Sequence, residues 1–330
     1  MSSRTRPLIA VAVLVPVLAA LALWAFAWPA ARIAPRDLPL GVAGPTVAAA
    51  QVERQLEQHE GAFEIHRYAD GAAARDAIED RSVYGAVVVT PQGPELLTAS
   101  AAGPAVAQFL EQAVAQRASA EGTRVKVVDV VPTPASDPRG AVLNAAVLPL
   151  ALAGIAAGAV VTLLGLRGMR AVTALLVASA LVGAVGAVIA HSWLGALAGD
   201  WWVEASVLGL STLAVGAAVA GLAALVGPAG TGIGAALVML IGNPFSGATT
   251  APQMLPEPAG AIGQWMPPGA GTSLLRSVAF FDGSAATGPA LTLTWWAALG
   301  LGAVLLGNAL RARRKDSAPT GGSRDLATVG

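Results

Sequence analysis

The chain has 330 residues, of which 55% are hydrophobic and only 12% are charged, and its mean hydropathy is +0.64. A soluble domain carries about 25% charged residues, so this composition excludes an ordinary soluble protein. The formal net charge is zero and there is no cysteine, so nothing suggests a nucleic-acid partner, and disulfides and thiolate metal sites are excluded.

Six apolar stretches, each about 20 residues long, predict helices that cross roughly 30 Å of hydrocarbon. In lipid a helix satisfies all its backbone groups within the segment. The first stretch covers 8–28, within a cytoplasmic N-terminus and first helix at 1–30. The other five lie in a transmembrane domain at 140–310 and cover 141–166, 171–190, 205–226, 231–251 and 289–310. The predicted fold class is an α-helical polytopic membrane protein with six transmembrane helices.

The first apolar stretch also has features of a cleavable signal peptide. It has a basic start, and the triplet Ala25-Phe26-Ala27 resembles a cleavage site. Its length and the residues Trp24 and Trp28, which fit an interfacial aromatic belt, favour a permanent anchor. The rest of the predicted topology is the same under both interpretations.

The block at 31–139 is polar. From Arg32 to Arg139 it holds 10 basic and 14 acidic residues, which are 24 of the 40 charged residues. Predicted strands at 38–42, 63–68, 84–89, 95–98 and 124–131 alternate with predicted helices at 46–59, 71–80 and 104–120. This order predicts an α/β domain with a partly parallel sheet, inserted between helices 1 and 2. About 100 residues suffice for one core, so we expect residues 32–136 to fold independently.

The charges outside this block predict the orientation. Arg4 and Arg6 precede the first stretch, and Arg167 and Arg170 separate the second from the third. Four basic residues follow the last stretch, at the start of a predicted disordered tail at 311–330. The positive-inside rule then places both termini in the cytoplasm and residues 31–139 outside, in a multi-pass plasma-membrane protein.

Within these bounds the second to sixth stretches contain no Asp, Glu, Lys, Arg or His. Ion-coupled carriers usually need such groups near the midplane, so any transport is expected to draw energy from elsewhere. The sequence has no P-loop, H-E-x-x-H or G-x-S-x-G motif. We therefore predict no catalytic residue, no cofactor and no metal site, and the protein is not expected to be an enzyme.

Two features of the membrane part have a structural interpretation. Gly154 and Gly158 have the small-xxx-small spacing that allows close helix packing in lipid. Residues 244–288 are rich in proline yet apolar, which predicts two short helices near 258–265 and 272–281. We expect this segment to be re-entrant or interfacial, on the outward side.

Several motifs, together with the order of one span, an α/β domain and five spans, resemble a known family. The motifs are at 37–42, 77–86, 96–101, 243–248, 266–269 and 274–283. The chain is similar to ABC-2-type membrane transport proteins, in particular to the actinobacterial branch of the YhgE/Pip and DUF3533-like group. The likeness covers nearly the whole chain.

The resemblance implies a permease-like subunit that exports a hydrophobic or envelope-related substrate. Its implied partners are membrane lipid, a second copy in a homodimer and a separate ATP-binding subunit. Members of the Pip group are described as phage-infection or secretion-accessory proteins, so a non-transporting receptor or scaffold that presents its extracellular domain is the alternative. ABC-2 permeases usually carry an interface helix and a coupling helix, and here only residues 1–7 and 167–170 are available for them.

The resemblance also implies a permeation mouth on the outward side. The family pattern before the final span is a proline, a helix with an arginine, and a glycine. The candidate residues are Asn243, Pro244, Pro267, Pro268, Arg276, Asp282 and Gly283.

Arg276 has two interpretations, because it is the only basic residue in the outward short loops. It extends to lipid headgroups as a snorkelling arginine, or it pairs with Asp282 or Glu257, or anchors an anionic substrate group.

Overall fold

A computed structural model describes residues 5–316 of the chain. Most of these residues are helical, and a single five-stranded sheet lies within the described range. The two parts are an α/β domain and a bundle of apolar helices, in the order that the sequence predicts.

The α/β domain contains the predicted strands and helices. The strands are β1 (Leu38–Ala43), β2 (Phe63–Tyr68), β3 (Gly85–Thr90), β4 (Gly93–Thr98) and β5 (Lys126–Asp129). The helices are α2 (Thr46–Glu57), α3 (Gly71–Glu79) and α4 (Pro104–Glu121), and α1 (Thr5–Ala30) precedes them. The sheet order is β2-β1-β3-β4-β5, with β3 and β4 antiparallel and the other pairs parallel. The prediction of a partly parallel α/β sheet is confirmed.

The core of this domain includes side chains from much later in the chain. On one face of the sheet, Leu40 and Leu96 pack in a buried cluster that also contains Met254. On the other face, Ile78 packs in a cluster that contains Phe281. Because Met254 and Phe281 come from the segment between the apolar helices, residues 32–136 do not hold the complete core.

Five helices are long and apolar enough to cross a membrane, among the residues that the structure describes. These spans are Val11–Ala30, Ala141–Leu163, Met169–Trp193, Trp201–Val226 and Thr287–Arg313. They belong to α1, α5 (Ala141–Leu163), α6 (Met169–Ala187) with its π-helical continuation Val188–Trp193, α7 (Trp201–Val226) and α11 (Thr287–Asp316). The protein is therefore a polytopic membrane protein.

The predicted span at 231–251 is wrong in its bounds. The structure has α8 (Pro228–Leu237), continued by a π-helical turn over Val238–Gly242. These 15 residues make a helix of about 23 Å. The chain turns after Gly242, because Pro244 has no backbone N–H to continue the helix and Gly247 adopts a positive φ of 67°.

Helix α7 is the centre of the bundle, since 72% of the residues in its apolar stretch are buried. A Cβ added to Gly154 of α5 would lie 2.8 Å from the Thr212 carbonyl of α7, and one added to Gly158 would lie 2.7 Å from the Gly216 carbonyl. Real Cβ atoms do not come so close, so these glycines allow the two helices to touch, and their predicted packing role is confirmed.

The segment between α8 and α11 contains two short helices, as predicted. They are α9 (Ala259–Trp265) and α10 (Pro267–Phe280). Helix α10 begins five residues earlier than predicted, because Pro267 and Pro268 occupy its first turn, where the missing N–H groups cost nothing. Helix α10 packs against α5, α7 and α11.

The predicted disordered tail at 311–330 is partly wrong, since α11 continues to Asp316. The mixture of arginine, alanine and lysine at 311–315 favours a helix intrinsically. The remaining tail residues, 317–330, and residues 1–4, including Arg4, lie outside the described residues.

Candidate functional site

The helix bundle has two ends, which differ in composition. We call the end that contacts the α/β domain the domain end, and the other the far end. The start of α5, the end of α6, the start of α7 and the first turns of α11 share one buried cluster with α10. Val161, Ala171, Ala220 and Val304 share another cluster towards the far end.

All eight tryptophans of the chain belong to segments at the domain end. Trp24 and Trp28 close α1 and stack with ring centroids 5.5 Å apart. The others are Trp193, Trp201, Trp202, Trp265, Trp295 and Trp296. Tryptophan is enriched where a membrane meets water, so this end has the composition of an interfacial belt.

Hydrogen bonds cross the boundary between the α/β domain and the later segments. Arg81 Nη1 donates to the Ser273 carbonyl at 3.0 Å and to the Ser277 hydroxyl. Its guanidinium carbon also lies 5.3 Å from the centroid of the Phe281 ring. Tyr84 donates from its hydroxyl to Gln253 Oε1 at 2.9 Å. Arg81 follows α3 with a φ of 60°, and this turn places its side chain between the two parts.

The position of Arg276 contradicts two of its predicted roles, as a snorkelling arginine and as the ion-pair partner of Asp282 or Glu257, whereas its role as an anchor for an anionic substrate group stays a prediction. Only 3% of its surface is exposed, so it does not extend to lipid headgroups. Its Nη2 donates to the Ala248 carbonyl at 3.2 Å, and among the described ion pairs there is none with Asp282 or Glu257. Helix α10 buries its arginine, while Asp282 and Glu257 lie exposed at the ends of neighbouring turns.

Two arginines and a tyrosine form the electrostatic centre of this junction. Burial lowers the pKa of Arg276 to about 10 and also lowers the pKa of Arg81. Burial raises the pKa of Tyr84, against the attraction of both guanidiniums. Burial therefore disfavours the charged form of all three groups. Among the described residues, Arg276 forms no ion pair with a carboxylate, and its guanidinium donates to a backbone carbonyl instead.

An open groove of about 790 Å³ lies between the α/β domain and helices α9 and α11. We call it the junction groove. Its polar wall includes Arg81, Tyr84, Gln253, Gln264 and Ser273, and its apolar wall includes Trp265, Leu291, Trp295 and Trp296. Trp265 is 74% exposed and Trp295 is 66% exposed.

Hydrogen bonds hold both walls of the junction groove. Gln264 Nε2 donates to the Ser246 carbonyl at 3.0 Å, and its Oε1 accepts from Ser273 Oγ at 2.6 Å. On the apolar wall, Trp296 Nε1 donates to the Trp265 carbonyl at 2.8 Å. These hydrogen bonds connect α9 to the turn at Ser246, to α10 and to α11.

The other predicted site residues lie around different cavities. Asn243 and Pro244 line a cavity of about 240 Å³ beside α1, whereas Pro267 and Pro268 line a small one of about 30 Å³ between α5, α7 and α10. Asp282 and Gly283 form the turn after α10, where the Gly283 N–H donates to the Ser277 carbonyl at 3.0 Å. The structure does not bring the seven predicted residues together around one cavity.

Sequence reasoning did not assign a role to Arg81 or Tyr84. Both lie in the family-like motif at 77–86, and an arginine between a helix and a buried strand was a usable signal. Their partners Ser273, Ser277 and Gln253 are up to 196 residues away, so the contacts themselves were not readable.

The inference that the spans contain no titratable residue is wrong. Helix α6 continues to Trp193 and α7 begins at Trp201, which brings His191 and Glu204 into the spans. Glu204 is fully buried. Its Oε2 lies 2.8 Å from His191 Nδ1, and its Oε1 accepts from the Gly199 N–H at 2.8 Å.

No group of three or more His, Asp or Glu side chains is arranged to hold a metal ion within residues 5–316. No family model, curated protein or solved structure matches the chain. The fold and the junction define a class, a polytopic membrane protein with an α/β domain docked on its helices. The resemblance to ABC-2-type proteins remains a prediction from its motifs.

Proposed function

We propose that the protein is a permease-like subunit of the ABC-2 type in the plasma membrane. It exports a hydrophobic or envelope-related molecule with energy from a separate ATP-binding subunit. The observation that carries this proposal is the junction groove, since it is wide enough for a small molecule and is lined on one side by exposed tryptophans. Pockets of this size, with an apolar lining and a few polar groups, are typical ligand sites.

The proposed topology has six crossings, with both termini in the cytoplasm and the α/β domain outside. Helix α7 begins at the domain end and finishes beside Arg311, which donates to the Ala224 carbonyl at 3.1 Å. The next segment to reach the domain is Ala248–Ala251, where Ala251 joins the domain core. The chain therefore returns through Pro228–Gly242, which we take as a short sixth crossing.

The distribution of side chains supports this orientation. Tryptophans concentrate at the domain end, whereas Arg167, Arg170 and Arg311 lie in segments at the far end. Cytoplasmic loops carry an excess of arginine and lysine. The far end would then be the surface for the ATP-binding subunit, formed by the α5–α6 connection and the extension of α11.

The alternative is a non-transporting receptor or secretion-accessory scaffold. One observation favours it: the α5–α6 connection is only residues 164–168, which is a small surface for an ATPase. The joint core of the α/β domain and the later segments also suits a protein whose outward domain is presented on a rigid base.

The test is affinity purification of the full chain from its native membranes in a mild detergent. We expect an ATP-binding subunit to co-elute in stoichiometric amount. The double variant Arg167→Gln/Arg170→Gln should weaken that association, whereas Arg54→Gln/Arg75→Gln in the α/β domain should not. Monodisperse wild-type protein without any ATP-binding subunit would overturn the permease proposal and favour the scaffold.

A further inference from the structure

Within residues 5–316, two guanidiniums at the junction lack an acidic partner. Neither Arg81 nor Arg276 belongs to an ion pair among the described residues, and burial, together with the charge of Arg81, lowers the pKa of Arg276. Their hydrogen bonds within the described residues go to carbonyl and hydroxyl oxygens. A buried charge is costly unless it is paired, so the junction has an excess of positive charge that an anion would offset.

Arg81 retains free hydrogen-bonding capacity towards the junction groove. A guanidinium has five N–H donors, and both contacts of Arg81 with Ser273 and Ser277 use Nη1. The Nη2 and Nε donors have no acceptor among residues 5–316. Arg81 lines the junction groove, so these donors belong to a group that an entering ligand can reach.

The apolar wall of the groove belongs to α9 and α11. Leu291 is 64% exposed and lies one helical turn from Trp295 on α11. Tryptophan rings prefer the headgroup level of a membrane, where one side is apolar and the other is wet. A ligand that contacts both walls must therefore have an anionic head and an apolar body.

We propose that the junction groove binds one anionic phospholipid, with its phosphate at Arg81 and its acyl chains along Leu291 and Trp295. Guanidinium groups bind phosphate through paired, charge-assisted hydrogen bonds. A free phosphate ion would leave the apolar wall and most of the 790 Å³ unfilled. As the identity of the exported molecule this inference rests on the proposed export function, but the lipid site itself can be tested without transport.

The experiment measures phospholipid bound to the purified full chain in an uncharged detergent by native mass spectrometry. The probe is dioctanoyl phosphatidylglycerol, and the competitors are dioctanoyl phosphatidylcholine and inorganic phosphate. We expect one phosphatidylglycerol per chain, which neither competitor displaces. Arg81→Gln should weaken this binding about tenfold, which is the effect of losing a charge-assisted hydrogen bond.

A second variant blocks the groove without touching Arg81. Gly288 lines the groove, and a Cβ there has no heavy atom within 4 Å, so Gly288→Trp starts its side chain in open space and should occupy part of the groove. The matched control is Gly302→Trp, on the same helix and equally open but outside the groove. Arg54→Gln, on the exposed face of α2, controls for charge.

The outcomes distinguish a phospholipid in the groove from annular lipid and from a free phosphate ion. Equal binding of phosphatidylglycerol by wild type, Gly288→Trp and Gly302→Trp would overturn the proposal, because the lipid would then be annular. Displacement by inorganic phosphate would overturn it in favour of a free-anion site. If Arg81→Gln fails to fold, Gly288→Trp still decides. If the wild-type protein binds no phosphatidylglycerol while the ATP-binding subunit co-elutes, this inference alone is refuted. If the wild-type protein binds the lipid and no ATP-binding subunit co-elutes, only the export function is refuted.

Discussion

Arg81 and Ser277, which are 196 residues apart in sequence, share a hydrogen bond across the boundary between the α/β domain and helix α10. Ser277 is fully buried and in turn donates to the Ser273 carbonyl at 3.0 Å. Because Arg81 also donates to that carbonyl, the guanidinium connects the α/β domain to two successive turns of α10. The domain is thereby fixed to the bundle by contacts as well as by its covalent connections.

Removal of the Ser277 hydroxyl should weaken this connection. We expect Ser277→Ala to lower the free energy of unfolding by about 1.5–3 kcal/mol, the usual effect of losing a hydrogen bond to a charged group. Thermal melting of the full chain in detergent measures the loss. Ser119→Ala on the exposed face of α4 is the control and should leave the melting temperature unchanged. Equal melting of both variants would show that the Arg81–Ser277 contact contributes nothing.

The core of the α/β domain should depend on a side chain outside the domain. Met254 is 4% exposed and packs with Leu40 and Leu96. We expect Met254→Ala to cost about 2–5 kcal/mol, as is usual for large-to-small changes in a core. Met169→Ala, at a methionine that is 65% exposed, should cost little. The measurement is again the melting of the full chain, followed by the circular dichroism of the sheet.

The two tyrosines of the chain allow the junction to be followed by ultraviolet titration. Burial raises the pKa of both Tyr68 and Tyr84 above the usual value of 10. The pKa of Tyr84 is raised on folding, so its contribution to stability is present below pH 10 and is lost as the pH rises through the folded value. We expect Arg81→Gln to raise the pKa of Tyr84 further, because Arg81 favours the phenolate.

The absorbance change at the phenolate band gives this result directly in a Tyr68→Phe background, where Tyr84 is the single titrating phenol. A Tyr84 that titrates at its ordinary pKa in the folded protein, or one that does not respond to Arg81→Gln, would contradict the proximity of these groups.

The α/β domain was predictable because its elements are local. Strand β2 at Phe63–Tyr68 has the predicted bounds, since its alternating pattern is bounded by a glycine turn before it and an N-capping aspartate after it. Asp70 accepts from the Ala73 N–H at 2.9 Å and begins α3 where the sequence places it. Such signals depend on a few neighbouring residues and can be read from the chain alone.

The junction was not predictable for the opposite reason. The contacts of Arg81, Tyr84 and Arg276 go to backbone carbonyls, a serine and a glutamine distant in sequence. Because every residue has a backbone carbonyl, an acceptor of this kind cannot be identified from residue types. Charge complementarity suggested Asp282 as the partner of Arg276. Arg276 is instead buried on α10 and donates to the Ala248 carbonyl. The span at 231–251 was misjudged because apolar residues after Gly242 pack in turns instead of continuing the helix.

The buried pair of His191 and Glu204 should be important for the folded state. Glu204→Ala leaves the Gly199 N–H and His191 Nδ1 without their partner. An unsatisfied buried polar group costs about 1–3 kcal/mol, so we expect a loss of at least this size in the unfolding free energy. Glu57→Ala, at an exposed position on α2, is the control. An unchanged melting temperature for Glu204→Ala would mean that water replaces the carboxylate at no cost.

The proposed topology is tested most directly by thiol labelling, because the chain has no cysteine of its own. Ser119→Cys lies on the exposed face of α4, and Leu164→Cys lies in the α5–α6 connection, where Leu164 is 68% exposed. Both side chains are accessible, so a difference in labelling reports the side of the membrane. We expect an impermeant maleimide to label Ser119→Cys on intact cells and Leu164→Cys only after the membrane is permeabilised. Labelling of Leu164→Cys on intact cells, or protection of Ser119→Cys, would reverse the orientation and place the junction groove on the cytoplasmic side.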